Sequence, residues 1–349
     1  MIRGMVNWHR RRNPRGRGAV ALFVVLFLLV LLGSGALAID VGALLHERRQ
    51  LQNGADAAAF AVATDCSRSA CVTPAATAAS YASANAGDGI SAVDELCGRG
   101  PGLSACAVHP TGSSTVVGYV KVTTSTLNAS GPEPLDSVHF LLAPLLNVAS
   151  VDQTVHATAV VAWGTPSTAL SIPLLLSKCI FDPAWFGADG AVNFPTTPIR
   201  IALNESQACG SGWPSGFDFV DDPSGTCALQ RVTITNGSAA LPAGQEGNLP
   251  QCRSVVKSAY DNATVLTVPI MYSRTKAGAG SEYFVDGFAS FVLCGYAIGG
   301  GYTATNCPTV CTGAGNDYRL CGYFKTATLS DGDLGSGTDY GTRIFKAIG

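Results

Sequence analysis

The stretch from Gly18 to Ile39 constrains this chain more than any other, because its 22 residues include no charged side chain. As a helix rising about 1.5 Å per residue it would be roughly 33 Å long, enough to cross a hydrocarbon core about 30 Å thick. Six arginines precede it, and no acidic residue occurs before Asp40. Arginine resists translocation, so the pattern predicts a cytoplasmic basic segment (1–18), a transmembrane helix (19–39) and an extracytoplasmic remainder.

A cleavable secretory signal is the main alternative to this anchor. An arginine-rich start, an apolar centre and the small residues of Ala36-Leu37-Ala38 are also typical of such signals. Cleavage after Ala38 would release a secreted protein. The apolar segment is long for a signal core, which favours the anchor, and the alternative stays open on these features.

The residues after the apolar run predict that the helix continues outside the membrane. Apolar side chains recur there at intervals of three and four residues, which is the spacing of one helix face. They are Val41, Leu44, Leu51, Ala55, Ala58 and Val62. Gly54 weakens such a helix by about 1 kcal/mol relative to Ala. We therefore expect one unbroken helix, amphipathic in its outer half and ending near residue 65.

Three short segments carry a family resemblance. Arg17–Ala21 covers the start of the apolar run, Ala38–Gly42 covers its end, and Leu51–Ala59 reads Leu-Gln-Asn-Gly-Ala-Asp-Ala-Ala-Ala. In this order and spacing they resemble the N-terminal domain of TadE/TadG-like proteins, which belong to the Flp pilus, or tight-adherence, systems of bacteria and archaea. The resemblance covers roughly residues 15–65. A looser similarity covers Val138–Ala162, an apolar segment followed by an alternating strand.

The resemblance implies a pilin-like protein whose long helix lies half in the membrane and half under a small sheet. It also implies a processing site, since prepilin peptidase cuts some relatives after a Gly at the cytoplasmic edge. Gly18 and Ala19 occupy that place here. Major pilins carry Glu five residues into the mature chain, whereas this chain has Phe23. That departure favours a permanently anchored accessory protein over a subunit of the filament shaft.

The chain has twelve cysteines, an even number on each side of Trp163. The predicted topology places all of them in an oxidising compartment. Four precede Trp163 and eight follow it, so we expect disulfides that close within each half. The twelve disulfide candidates are Cys66, Cys71, Cys97, Cys106, Cys179, Cys209, Cys227, Cys252, Cys294, Cys307, Cys311 and Cys321. Cys66–Cys71 and Cys97–Cys106 are the local pairs that the spacing favours. No Cys-x-x-Cys occurs, which disfavours zinc.

The chain is expected to form an α+β fold with two extracytoplasmic parts. Residues 40–163 would be a pilin-like α+β domain with a second helix at Pro74–Ala86 and strands at 115–127 and 150–163, separated by a short helix at Leu135–Val148. Residues 164–349 are rich in Cys and Gly, which predicts a mostly β domain with long loops linked by disulfides. Its strand candidates are 230–235, 264–272, 283–296, 318–328 and a last edge strand at 342–348.

Composition and residue spacing argue against a nucleic-acid-binding, catalytic or metal-binding role. From Ala19 onward 16 Lys and Arg face 24 Asp and Glu, so nucleic acid is not an expected partner. All five His precede Gly164, so the distal half cannot supply a Ser-His-Asp triad. The Asp-rich loops could form a glycosidase-like carboxylate pair or a loose calcium site, but capping of the loops is the favoured interpretation. These aspartates are Asp182, Asp189, Asp218, Asp221 and Asp222, and in the tail Asp331, Asp333 and Asp339.

The sequence therefore predicts a non-enzymatic, single-pass protein of the plasma membrane with its bulk outside. Its expected role is that of an accessory, pseudopilin-like component of a Flp-type pilus assembly or tight-adherence system. Its expected partners are the lipid bilayer and pilin-like or secretion-system membrane proteins. No cofactor, metal or small-molecule substrate is expected. The alternatives are a secreted or anchored binding module and a carboxylate-based hydrolase, either of them released by cleavage after Ala38.

Overall fold

The computed structural model of the protein describes most of the chain after the basic segment. The described residues are 17–68, 71–87, 89–112, 116–126, 154–187, 192–203, 216–244, 250–275, 281–307, 309–312, 318–335 and 337–348. The short helix expected at Leu135–Val148 lies outside them. Within them the fold is α+β: a long N-terminal helix followed by a mostly β region with several disulfides.

The secondary structure is dominated by one helix and many strands. The helices are α1 (Arg17–Ser67), α2 (Pro74–Ala84) and α3 (Arg253–Asp261). The strands are β1 (Ser91–Arg99), β2 (Gly118–Thr126), β3 (His156–Pro166), β4 (Thr168–Ser171), β5 (Leu174–Ser177), β6 (Ile199–Ala202), β7 (Phe217–Phe219), β8 (Gln230–Thr233), β9 (Ala239–Pro242), β10 (Val265–Arg274), β11 (Glu282–Ala297), β12 (Thr303–Thr305), β13 (Arg319–Lys325), β14 (Ala327–Leu329), β15 (Leu334–Gly335), β16 (Thr338–Tyr340) and β17 (Thr342–Ala347). Short 3₁₀ turns lie at Lys178–Ile180, Pro183–Trp185 and Pro250–Cys252.

The helix α1 is continuous over 51 residues, as the apolar run and the following pattern predict. It passes through Gly33, Gly35, Gly42 and Gly54 without a break, because leucine, alanine and other good helix formers surround each glycine. The helix is roughly 75 Å long at about 1.5 Å per residue, which is more than twice a bilayer's hydrocarbon thickness. Its outer part is therefore available to pack against the rest of the protein.

The first sheet lies against the outer half of α1. Its strand order is β1-β2-β3-β17-β14, and β15 also pairs with β3. The pairs from β1 to β17 are antiparallel, whereas β14 runs parallel to β17. α1 and α2 cover one face, where alanines of α1 meet Val120, Val122, Val161 and Trp163. This face and the two helices form one hydrophobic core.

The strand predicted at the end of the chain is not an edge strand. Sequence predicts an edge strand at Thr342–Ile348, whereas β17 lies between β3 and β14, with Phe345 opposite Trp163. The sequence identifies the strand, but its partner β3 is distant along the chain and leaves no local signal. The predicted domain boundary after residue 163 stays a prediction. The pairing of β17 shows that a strand from the distal half completes the proximal sheet.

The second sheet is built around β11, a buried strand of 16 residues. The main strand order is β6-β13-β11-β10-β5-β7, and β9, β12 and β16 also pair with β11. The short strands β4 and β8 form a separate pair. Aromatic and aliphatic side chains fill the core between this sheet and α3, among them Phe217, Phe291, Leu320 and Val256. This half is mostly β, as its strand candidates predict.

Disulfides fasten both halves. The structure joins Cys66 to Cys71 and Cys97 to Cys106, which are the two local pairs favoured by the sequence. In the distal half it contains three further pairs: Cys227–Cys252, Cys294–Cys307 and Cys311–Cys321. Cys179 is also disulfide-bonded, and Cys209 lies outside the described residues. Each of the five pairs closes within its own half of the chain.

Candidate membrane anchor and helix-packing surface

The N-terminal half of α1 presents an uninterrupted apolar surface. Every Val, Leu and Phe side chain from Val20 to Leu32 is between 49% and 72% exposed. A contiguous apolar surface of this extent is unfavourable in water and is typical of a segment that contacts lipid. Among the described residues, α1 is the one helix that is long and apolar enough to span a membrane. By length and composition it fits a single-pass anchor.

The side chains of α1 change from mostly exposed to partly buried between Ala36 and Leu51. Ala36 and Asp40 are buried within the protein, whereas Val41 and Leu45 remain exposed. From Leu51 onward a continuous face is buried. Within the apolar stripe predicted from the sequence, Leu44 is half-buried, and burial is complete from Leu51 onward. The first member of the stripe, Val41, contributes to the exposed surface instead.

Small side chains allow the buried face of α1 to approach the sheet closely. Leu51 is 2% exposed, and Ala55, Ala58 and Val62 are wholly buried. Together with Ala59 and Ala63 they contact valines of β2 and β3. Alanine adds little volume and no rotamer entropy, so a helix can lie flat on a sheet along an alanine face.

Polar side chains fix the helix in register with the sheet. Thr124 of β2 is buried, and its Oγ1 donates a hydrogen bond of 3.0 Å to the Leu51 carbonyl. Gln52 Nε2 donates to the Thr158 carbonyl of β3 at 3.3 Å and to Asp56 Oδ1 at 3.0 Å. A slip of the helix along the sheet would break these bonds, each worth about 1 kcal/mol.

The second helix packs on α1 at Gly54. A Cβ atom at Gly54 would lie 3.1 Å from the Ala82 carbonyl oxygen, so the glycine permits a close approach of the two helices. The loop after α2 is held as well, because Gly87 N donates to Gln50 Oε1 at 2.7 Å. Gly54 therefore has a packing role that offsets its low helix propensity.

The outer end of α1 is fastened to the start of α2. Cys66 is bonded to Cys71, and both sulfur-bearing side chains are buried. Thr77 of α2 donates its hydroxyl to Asp65 Oδ2 at 3.4 Å. The helix pair is thus held at both ends, by Gln50 at the end toward the exposed apolar half of α1 and by the disulfide at the other end.

An open groove runs between α1 and α2 on the side away from the sheet. Its volume is about 320 Å³, and its walls include Ala57, Ala61, Phe60 and Tyr81. Phe60 is 41% and Tyr81 49% exposed, although both are large aromatic residues. The spacing of apolar residues in the sequence does not single out this pair. The available signal was Phe60 itself, the one aromatic residue in an alanine-rich helical segment.

Family comparison identifies the same helix as the recognisable part of the chain. Residues 18–65 match the family model described as putative Flp pilus-assembly TadE/G-like, or Tad. No curated protein and no solved structure matches the chain.

The Tad match coincides with α1 from its first turn to the residue before Cys66. It therefore contains both the exposed apolar half and the face that packs on the sheet. The Tad residues Leu51, Gln52, Gly54 and Ala58 are the ones that contact β2, β3 and α2. Gly18 and Ala19, the processing candidates, lie in the first turn of α1.

The aspartates of the distal loops serve as local hydrogen-bond acceptors. Asp182 accepts from Ala184 N at 2.9 Å and caps a 3₁₀ turn. Asp218 is buried and accepts from Phe219 N and from the hydroxyl of Tyr283. Asp189 lies outside the described residues. Asp182 thus follows the loop-capping interpretation, whereas Asp218 lies within β7 and binds a tyrosine of β11.

The three tail aspartates pair with three different cations. Asp331 lies 3.4 Å from Arg231, and Asp333 lies 2.5 Å from Lys346. Asp339 accepts from Arg343 at 2.6 Å. Each carboxylate is neutralised by its own partner, which is the pattern of surface ion pairs and not of a shared cation site.

Asp222 should make the stability of the distal half depend on pH. Hydrogen bonds from the Ser224 hydroxyl (2.6 Å), the Cys227 backbone N–H (2.7 Å) and other groups lower the pKa of this buried carboxyl. A lowered folded-state pKa stabilises the protein above the unfolded value of about 3.9, and this stabilisation is lost as pH falls through the folded value. We expect the melting temperature of the wild type to fall more steeply below about pH 4 than that of Asp222→Asn.

The measurement is thermal unfolding of the full chain in detergent between acidic and neutral pH. Asp221→Asn is the matched control, because it removes the same charge from the exposed neighbouring position. Equal pH slopes for Asp222→Asn and the wild type would contradict the assignment.

Proposed function

We propose that this protein is a membrane-anchored accessory component of a Flp-type pilus assembly or tight-adherence system. It acts outside the membrane through contacts with other pilin-like or secretion-system membrane proteins. The observation that carries the proposal is the unbroken helix α1, which matches the Tad family model and has an exposed apolar inner half and a sheet-packed outer half.

The arginines before α1 favour an N-terminus in the cytoplasm, with the disulfide-bonded bulk on the other side. The five described disulfide pairs support this orientation, since disulfides persist in oxidising compartments. Phe23 in place of a Glu supports an accessory role over insertion in the filament shaft. Retention of the whole helix, with no cut at Gly18 or Ala38, is part of the proposal.

The groove with Phe60 and Tyr81 is the proposed protein contact. It lies on the outer half of α1, where another membrane-anchored protein with a long helix can reach it. Aromatic side chains supply large contact area at low entropic cost and are enriched at protein interfaces. The alternative function, a secreted binding module, would use the disulfide-rich β half after cleavage at Ala38.

The N-terminus of the protein in native membranes tests the anchor. Intact mass and end sequencing should show residues 1–39 retained. A new end at Ala19 would instead show prepilin-peptidase processing and entry into a filament. A new end at Ile39 would refute the anchor and leave the secreted module.

A photo-crosslinking side chain at position 60 or 81 tests the contact surface. We expect an adduct with another membrane protein from either position. Leu229, an exposed apolar residue of the distal half at 60% exposure, is the matched control position. Adducts of equal yield from position 229 would argue against a specific surface on α1 and α2.

A further inference from the structure

A cleft lies where the outer end of α1 meets the last strands of the first sheet. Its volume is about 100 Å³, which is ample for a water molecule or a small oxygen anion. The turn after α1 contributes Arg68, the residues around β14 contribute Thr326 and Thr328, and β17 contributes Arg343. No Asp or Glu is among the described residues that line the cleft.

The charges around the cleft leave one cation in excess. Arg343 is only 11% exposed and forms an ion pair of 2.6 Å with Asp339, which neutralises it. Arg68 is exposed and has no ion pair among the residues that the structure describes. A monovalent anion in the cleft would therefore complete its charge balance.

We propose that this cleft binds a carboxylate group. A guanidinium presents parallel N–H donors that match the two oxygens of a carboxylate, and such charge-assisted bonds are about twice as strong as neutral ones. The hydroxyls of Thr326 and Thr328 add two further donors. Val192 and Phe345 also line the cleft and give the carbon skeleton of a carboxylic acid an apolar contact.

One excess positive charge matches a carboxylate better than a phosphate, which carries about −1.5 to −2 at neutral pH. The carboxylate can belong to a small molecule or to the end of a polypeptide. Charge alone does not distinguish a small molecule from a polypeptide end. β14, however, is the last strand on its side of the described sheet. Its outer edge has backbone groups that an extended peptide can pair with. The inference does not depend on the membrane anchor.

Titration calorimetry of the full chain in detergent tests the proposal at constant ionic strength. The probes are sodium acetate, inorganic phosphate, the tripeptide Ala-Ala-Ala with a free carboxyl end, and the same tripeptide amidated. We expect saturable binding of acetate and no binding of the amide. Arg68→Gln should weaken acetate binding about tenfold. Arg49→Gln, which changes an exposed arginine of α1 away from the cleft, should leave acetate binding unchanged.

Each outcome decides a separate point. Tighter binding of the free-acid tripeptide than of acetate assigns the cleft to a polypeptide end, and equal binding assigns it to small carboxylates. Tighter binding of inorganic phosphate than of acetate would overturn the carboxylate assignment. No saturable binding, or equal affinity in the wild type and Arg68→Gln, would overturn the site. Because Arg68 is exposed, its variant is expected to fold like the wild type.

Discussion

Replacing both Leu26 and Leu29 with Arg should remove the protein from the membrane fraction. The two side chains are 54% and 64% exposed and lie near the middle of the apolar half of α1. An Arg at the centre of a spanning helix raises the apparent free energy of insertion by about 2.5–3.5 kcal/mol, so two cost roughly 6 kcal/mol. The measurement is the fraction of the chain that resists alkaline carbonate extraction.

Leu26→Ala with Leu29→Ala is the matched control and should stay in the membrane, because alanine keeps the span uncharged. Thiol labelling provides a second measurement of the same event. In the wild type the cysteines of the pairs Cys66–Cys71 and Cys227–Cys252 should be protected as disulfides. In the double-Arg variant they should become reactive, since a chain that is not inserted stays in a reducing compartment. A double-Arg variant that is membrane-bound and fully oxidised would contradict the anchor.

Gly54→Leu should destabilise the outer half of α1 and its partner helix. A Cβ at this position meets the Ala82 backbone at 3.1 Å from the carbonyl oxygen and 3.4 Å from Cα. A backbone atom cannot rotate away as a side chain can, so α2 must move outward. We expect the free energy of unfolding to fall by about 2 kcal/mol, within the range of overpacked cores.

Gly42→Leu is a matched control on the same helix. A Cβ at Gly42 has no heavy atom within 4 Å, so the substitution should be neutral or gain up to about 1 kcal/mol of helix propensity. Gly54→Ala should lie between the two, because alanine adds the Cβ alone. Chemical denaturation of the full chain in detergent measures all three. If Gly54→Leu and Gly42→Leu gave the same change, the close approach of α1 and α2 would not limit this position.

The helix α1 could be predicted because all of its signals are local. An uncharged run of 22 residues, the helix formers after it and the spacing from Leu51 to Val62 each act within a few turns. What the spacing could not show is where packing begins. Val41 continues the stripe in sequence but is 44% exposed, whereas the adjacent Asp40 is buried.

Two elements left no clear pattern in the sequence. β1 (Ser91–Arg99) contains Asp94, Glu95 and Gly98, and its half-buried positions do not alternate cleanly between apolar and polar residues. α3 (Arg253–Asp261) has nine residues and follows directly on the disulfide-bonded Cys252, in a region that otherwise reads as loops. Both depend on tertiary contacts, β1 on pairing with β2 and α3 on packing against the second sheet.

The candidate surfaces also differ in whether the local sequence predicts them. The anchor and the packing face of α1 lie within one continuous segment, so the sequence predicts them. The groove between Phe60 and Tyr81 needs the packing of two helices. The cleft between Arg68 and Arg343 needs residues from opposite ends of the chain, and no local pattern indicates that they meet.

The position of β17 in the first sheet has a consequence for biosynthesis. β17 pairs with β3 on one side and β14 on the other, so in the proposed topology the sheet that supports α1 cannot close until residues 342–347 have been exported. Until then β3 has an unpaired edge while, in that topology, the segments before it are already on the extracytoplasmic side. Such open strands pair readily with other chains. The proposed topology therefore predicts that export requires a binding partner, either an extracytoplasmic chaperone or an early assembly partner, that covers the β3 edge until the final strand is in place.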